Sequence, residues 1–276
     1  MSEVRLHRRA AWVRSLLATA LMLAAFATAA PSVAAPQGDD AAAILSAADA
    51  VRNPPGSYSV NIKLMEYRNG ELNDSSSLTV YTKPVAGAGQ YGHLARYTHP
   101  ATEAGKLLLR NGNDLWFYDP QSKASIRISA QARLMGQASN GDVLSINLAR
   151  DYAAELVGRE AVEDDTRTKR AAMHLKLKAQ SDEAAYAAID FWVDEANRRP
   201  IKAQFRTAEG RLLKTAFYRR YQSELGAERP TETVIVDGLD NSWVTVIRLS
   251  GYKAREVPQT WLQRDYLPRF SGGDGQ

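Results

Sequence analysis

From residue 58 onward, apolar and polar side chains alternate along much of the chain. Tyr58, Val60, Ile62 and Leu64 fall on one side of an extended backbone, and Ser59, Asn61 and Lys63 fall on the other. A period of two predicts a half-buried antiparallel strand. Asn69-Gly70 is a strong two-residue hairpin signal, and the returning strand places Leu78, Val80 and Thr82 on one face. The same period recurs in Ala171, Met173, Leu175 and Leu177, in Ile189, Phe191 and Val193, and in Ile201, Ala203 and Phe205. Further strands are predicted over residues 91–98, 106–110, 115–118, 125–129, 152–163, 213–221, 233–237 and 243–251. Turn-forming runs such as Asn111-Gly112-Asn113-Asp114, Asp119-Pro120-Gln121-Ser122 and Ala208-Glu209-Gly210-Arg211 separate them. This amounts to about 11–13 strands joined mostly by short turns, a mainly β protein.

Two segments depart from the strand period. Asp39 and Asp40 can cap a short helix whose Ile44, Leu45, Ala48 and Val51 share a face, and Asn53-Pro54-Pro55-Gly56 stops it. Residues 130–150 keep Leu134, Met135, Val143, Leu144, Ile146 and Leu148 but do not alternate, with Asn140-Gly141-Asp142 as a turn or helix cap. The segment is too apolar for an exposed loop, so it is expected to lie over the sheet as a lid carrying Leu134, Met135, Leu144 and Leu148. The period-two positions Val60, Ile62, Leu64, Met173, Leu175, Leu177, Ile189, Phe191, Val193, Phe205 and Phe217 are the candidate ligand-binding wall, on one concave face. Residues 259–267 suggest one or two amphipathic turns, and residues 271–276 a disordered tail.

Charge and composition narrow the function. The net charge is +4, yet Arg5, Arg8, Arg9 and Arg14 and the single acid Glu3 lie in the first 35 residues, leaving 31 basic against 30 acidic side chains. No strong footprint for nucleic acid is left. Those arginines form a basic region ahead of the apolar run Leu16 to Ala30, followed by Pro31 and the small residues Ser32-Val33-Ala34-Ala35. The pattern is that of a secretory signal peptide over residues 1–34, cleaved after Ala34. The apolar run is short of the ~20 residues that span a bilayer. One domain over residues 35–270, exported to a bacterial periplasm, is the expected mature form. The chain has no cysteine, which excludes disulfides, thiolate chemistry, cysteine-based metal sites and a lipid-anchored N-terminus.

Candidate chemistry is sparse. His7, His93, His99 and His174 share no metal-ligand spacing and no recognisable pairing with acids, and nucleophile, phosphate-loop and dinucleotide motifs are missing. Glu160, Glu163, Asp164 and Asp165 read as a solvated acidic hairpin, and Asp190 and Asp194 as the wet face of a strand. Trp116-Phe117-Tyr118 occurs once, so it is packing rather than a propeller repeat. No catalytic residue, metal or cofactor is predicted. Apolar faces without a polar constellation point to binding rather than catalysis.

One stretch carries a family resemblance. "KLLLRNGNDLWFYDP", "IRISAQARLMGQASNGDVLSINLARDY" and "LVGREAV", with the opening "ILSAADAVRNPPGSYSV", resemble the LolA-like outer-membrane lipoprotein-sorting proteins, over roughly residues 41–270. The resemblance implies a curved, unclosed antiparallel β-barrel whose open mouth is covered by helices and whose hydrophobic cavity takes acyl chains. It implies a soluble periplasmic carrier for lipoprotein acyl chains or other amphipathic lipid cargo. Its partners would be lipidated proteins or lipids, an inner-membrane transporter and an outer-membrane acceptor. An accessory or regulatory module that binds a membrane transporter or sensor protein is the alternative, and a hydrolase with an unrecognised site is the third reading.

Overall fold

The computed structural model describes residues 40–272, apart from residues 86, 88, 145 and 165. The segment read as a signal peptide lies outside the described residues, as do Asp39, Asp165 and residues 273–276 of the tail; Ser271 and Gly272 are in no helix or strand. Helix α1 (Ala41–Arg52) starts where the Asp40 side chain accepts the Ala42 N–H at 3.0 Å. Ile44, Leu45 and Ala48 are buried on one face, and the helix ends at Asn53 ahead of the two prolines.

Six strands follow, β1 (Tyr58–Arg68), β2 (Glu71–Pro84), β3 (Tyr91–His99), β4 (Leu107–Asn111), β5 (Asp114–Asp119) and β6 (Ala124–Arg127). The next segment holds a small hairpin, β7 (Arg133–Met135) and β8 (Ala138–Ser139), then the single turns α2 (Asn140–Val143) and α3 (Leu148–Asp151). Seven further strands complete the sheet: β9 (Tyr152–Glu163), β10 (Lys169–Ala179), β11 (Ala188–Asp194), β12 (Pro200–Arg206), β13 (Leu212–Glu224), β14 (Ala227–Asp237) and β15 (Trp243–Ala254).

The main sheet has 13 antiparallel strands in the order β6-β5-β4-β3-β2-β1-β15-β14-β13-β12-β11-β10-β9. Strands adjacent in sequence pair, except that β1 also takes β15, with Leu64 opposite Ile247. The sheet is therefore two meanders fused at β1 and β15, and it does not close: β6 and β9 are its free edges. Residues 128–151, the ones that lose the strand period, join those two edges. Asn69 and Gly70 take φ of 52° and 83°, the pair of left-handed residues that a tight hairpin requires.

One stretch departs from the predicted pattern. Residues 222–232 read as a gap between strands, but β13 runs on to Glu224 and β14 starts at Ala227. Leu225 and Gly226 make the turn with φ of 50° and 79°. Pro230, which argues against a strand, sits inside β14 opposite Tyr221.

The inner face gathers the main core. Side chains from α1, β1–β5, the 138–148 segment and β9–β15 form one cluster, so the sheet curls around the helical pieces. The outer face of β2–β5 has its own cover. Leu107 and Leu109 point outward into a second cluster with Val257, Trp261, Leu262 and Leu267, while Leu108 points inward. Burial on both faces explains the unbroken Leu107-Leu108-Leu109 run. Two 3-10 turns, Gln259–Leu262 and Arg264–Arg269, carry Trp261, Leu262 and Leu267, and Trp261 meets Tyr81 edge-on at 5.3 Å.

Candidate functional site

Period-two spacing brings ten of the eleven candidate wall residues together. Val60, Ile62, Leu64, Met173, Leu175, Leu177, Ile189, Phe191, Val193 and Phe205 are buried in the main core. Phe217 is not among them. It is half-buried on the outer face, opposite Lys202 on β12 and Val234 on β14. On β13 the inward positions are Lys214, Ala216 and Tyr218. A buried lysine in place of an apolar residue hides the true phase, and a one-residue shift in phase reverses every side chain.

The segment read as a lid, residues 130–150, lies against this core. Leu144 and Leu148 are buried in it, and Leu134 and Met135 pack on it from partly exposed positions. Polar contacts peg the segment at several points. The Gln137 N–H donates to Thr245 Oγ1 on β15 at 2.8 Å, and Lys214 Nζ donates to the Gln137 carbonyl at 3.0 Å. Ser139 starts α2, its N–H and hydroxyl both donating to the Asp142 carboxylate, at 2.7 and 2.9 Å. The Ala149 N–H donates to Asp49 Oδ2 on α1 at 2.8 Å. Gln90 donates to Asp151 at 2.9 Å and accepts the Asn147 N–H at 3.2 Å.

Between lid, α1 and sheet remains a cavity of about 70 Å³. At ~30 Å³ per water molecule it holds about two waters, well below the ~300 Å³ at which small-molecule pockets begin. Of the predicted wall residues only Ile62 and Phe205 line it, with Leu148 from the lid. The others are core beneath it. The remaining floor is Ala216, Ile235, Ile247 and Leu249, from β13–β15. Alternation of Ile235 with Val234 and Val236, and of Ile247 with Val246 and Arg248, was the available signal, but apolar residues on both faces blunt it.

One end of the cavity is polar. Arg52 from the last turn of α1, Asp142 from α2, and Tyr186, Tyr218 and Tyr252 line it. Asp142 takes an ion pair from the buried Lys214, and the Tyr186 hydroxyl lies 2.8 Å from Ser139 Oγ and 3.1 Å from Asp142 Oδ1. Burial pushes the Tyr186 phenol well above its ordinary pKa, and the Asp142 charge adds to the shift, so the group stays a neutral donor. Tyr186 also lines two open clefts outside the lid. One, of about 380 Å³, runs between Arg133 on the lid and Leu239 at the β14–β15 turn. The other, of about 860 Å³, lies along the ends of β9 and β10 among Ala153, Ala154, Ala179 and Ala184. Tyr186 thus borders the inner cavity and both clefts.

On the outer face, His174 is paired with acids from other strands, contrary to the sequence reading: Nε2 lies 3.1 Å from Asp190 and Nδ1 3.3 Å from Glu160. Its ring stacks on Trp192 at 4.4 Å, and the indole N–H donates to Glu160 at 2.7 Å. Glu160 is thus a cross-strand partner rather than part of a bare solvated turn. Asp194 is not on a wet face either; it is buried and accepts the N–H groups of Ala196 and Asn197 in the β11–β12 turn. Glu232, without exposure, lies beneath Arg219, Arg220 and Arg248. Burial would raise its pKa, but hydrogen bonds from Arg248 and Arg219 outweigh that and hold it below the usual glutamate value. Among the described residues no cluster of three or more His, Asp or Glu is arranged to hold a metal, and no helix is long and apolar enough to cross a membrane.

Comparisons with known proteins agree on the architecture. A family described only as an uncharacterized protein matches residues 89–269. No curated protein matches the chain significantly. A LolA superfamily protein from Nitrosomonas europaea is 32% identical, with a TM-score of 0.73 over 82% of this chain and 98% of that one. A DUF1329 family protein from Desulfovibrio piger is 21% identical, with a TM-score of 0.70 over 82% and 97%. A domain described as an outer membrane lipoprotein-sorting protein from Vibrio parahaemolyticus is 19% identical, with a TM-score of 0.67 over 83% and 96%. The last two share the fold.

Proposed function

The chain belongs to the LolA superfamily, and we propose that it is a soluble periplasmic binding protein that shields the acyl chains of lipidated proteins or other amphipathic lipids. Exposing an acyl chain to water costs about 0.8 kcal/mol per methylene. The concave face of the sheet offers a shield, and binding and release need no chemistry. The observation that carries the reading is the packing of the lid. Leu144 and Leu148 are buried in the main core, Leu148 lines the cavity, and the space left is about 70 Å³. In this closed arrangement the lid side chains stand where cargo would lie, so loading displaces them and unloading restores them. Handing cargo from an inner-membrane transporter to an outer-membrane acceptor fits such an exchange.

The experiment is a titration with a fluorescent fatty acid, paired with mass spectrometry of lipid extracted from the exported protein. Binding to wild type and its loss in the Leu144→Asp, Leu148→Asp double variant, with far-UV circular dichroism unchanged, supports the carrier. Equal binding by the double variant removes the segment from the cargo site. A stable protein partner with no co-purified lipid favours an accessory module instead.

A further inference from the structure

The polar end of the cavity contains more hydrogen-bond donors than the protein uses. Arg52 has side-chain exposure of 13%, and its guanidinium makes one hydrogen bond, from Nη1 to Asp49 Oδ1 at 2.7 Å. Its Cζ sits 5.8 Å from the Tyr218 ring centroid. A guanidinium carries five N–H donors, so four have no protein acceptor among the described residues. The hydroxyls of Tyr218 and Tyr252, which line the same cavity, likewise have no hydrogen-bond partner among the described residues. Burial raises both phenols, so each is a neutral donor. Burial works against the charge on Arg52, but the charges around it, the Asp49 carboxylate among them, outweigh that and the group stays protonated. The other charge on the cavity wall, Asp142, is already engaged by Lys214, Ser139 and Tyr186.

A planar guanidinium with donors to spare suits the paired oxygens of a carboxylate or phosphate, and such contacts are charge-assisted. Just beside them lies the apolar floor of Ile62, Ala216, Ile235 and Ile247. We infer that the cavity selects amphiphiles with an anionic head, a carboxylate or phosphate held by Arg52 with the Tyr218 and Tyr252 hydroxyls, and the alkyl chain laid along that floor. This inference rests on the carrier reading above and names the class of cargo. Arg52 is then the specificity-determining residue. Neutral amphiphiles of the same chain length leave its donors unmet and bind more weakly.

The test is displacement of a fluorescent fatty acid by dodecanoate, dodecyl phosphate and dodecan-1-ol, on wild type, Arg52→Gln, Arg52→Lys and Tyr218→Phe, each checked for folding by circular dichroism and thermal melting. Wild type is expected to prefer at least one anionic ligand over the alcohol by about tenfold or more, as expected for a charge-assisted bidentate contact. Arg52→Gln abolishes that preference. Arg52→Lys keeps part of it, and Tyr218→Phe, which leaves Arg52 in place, lowers it several-fold. A preference for dodecyl phosphate alone points to a phospholipid-type head, and for dodecanoate alone to a free fatty acid. No preference in wild type, or an undiminished one in Arg52→Gln, overturns the inference and leaves the carrier reading standing. Failure of all three alkyl ligands to bind overturns the carrier reading and the inference with it.

Discussion

Lys214 Nζ on β13 reaches across the concave face to the Asp142 carboxylate in α2, and both side chains are buried, at 5% and 10% exposure. The same ammonium also donates to the Gln137 carbonyl. One cation thus ties the middle of the sheet to both the β7–β8 hairpin and α2.

Removing that cation should release the lid before it unfolds the sheet. Lys214→Met leaves the Asp142 charge buried with only the Ser139 N–H and the Ser139 and Tyr186 hydroxyls as donors, a loss of about 3–5 kcal/mol for a broken buried pair. Adding Asp142→Asn removes the stranded charge and should recover part of the loss. Urea denaturation of the single and double variants measures both effects. Additive destabilisation would show that the two groups are not coupled.

Tyr186 borders three spaces, so truncating it should merge them. Tyr186→Ala is expected to lower stability by about 3–5 kcal/mol, as for other large buried aromatic residues. It should also tighten binding of a fluorescent acyl probe, because the chain gains a path that does not require the lid to move. A variant that is less stable and binds no better would place the entry path elsewhere.

The face assignment of β13 and β12 is testable by two phenylalanines. Phe205→Ala empties part of the core and should cost about 3–5 kcal/mol. Phe217→Ala, on the outer face beside Lys202 and Val234, should cost less than about 1 kcal/mol, the scale of a cross-strand pair. Comparable losses would put Phe217 inside.

Acid stability should depend on Asp164 in the β9–β10 turn. Burial alone would raise its pKa, but hydrogen bonds from Thr166, Arg170 and Thr168 bring it from 3.8 down to about 2. A carboxyl depressed in the folded state gives stability that is complete above its ordinary pKa and is lost as pH falls through the folded one. Asp164→Asn should therefore flatten the fall of stability between about pH 4 and pH 2. Thermal melts across that range would show an unchanged slope if the turn contributes nothing.

The strands were legible because their inner faces are apolar and their outer faces polar, as in β1 and β10. Legibility failed where function or pairing places polar groups inside. Lys214 reads as an outward position and points in, which displaced Phe217 to the wrong face. Asp49 and Asp142 are buried carboxylates with partners far away in sequence, Ala149 and Lys214, which no local pattern announces. Ala149 meets Asp49 across a separation of 100 residues. The segment that covers the sheet was recognisable by its loss of period, but its anchors are backbone and side-chain hydrogen bonds that leave no hydropathy signature. The hairpin at Leu225-Gly226 lacks the Asn-Gly pair that marks Asn69-Gly70, and Pro230 disguised the strand after it.

Residues 128–151 run from one free edge of the sheet to the other, so the lid is tethered at both ends to the strands it bridges. Whatever lifts it, every ladder between β6 and β9 can remain intact, and the work is confined to the side-chain pegs and the apolar contacts of Leu144 and Leu148. If the segment opens as proposed, its return would be a unimolecular event with no dependence on protein concentration, and cargo would compete at the floor against a permanently attached occupant.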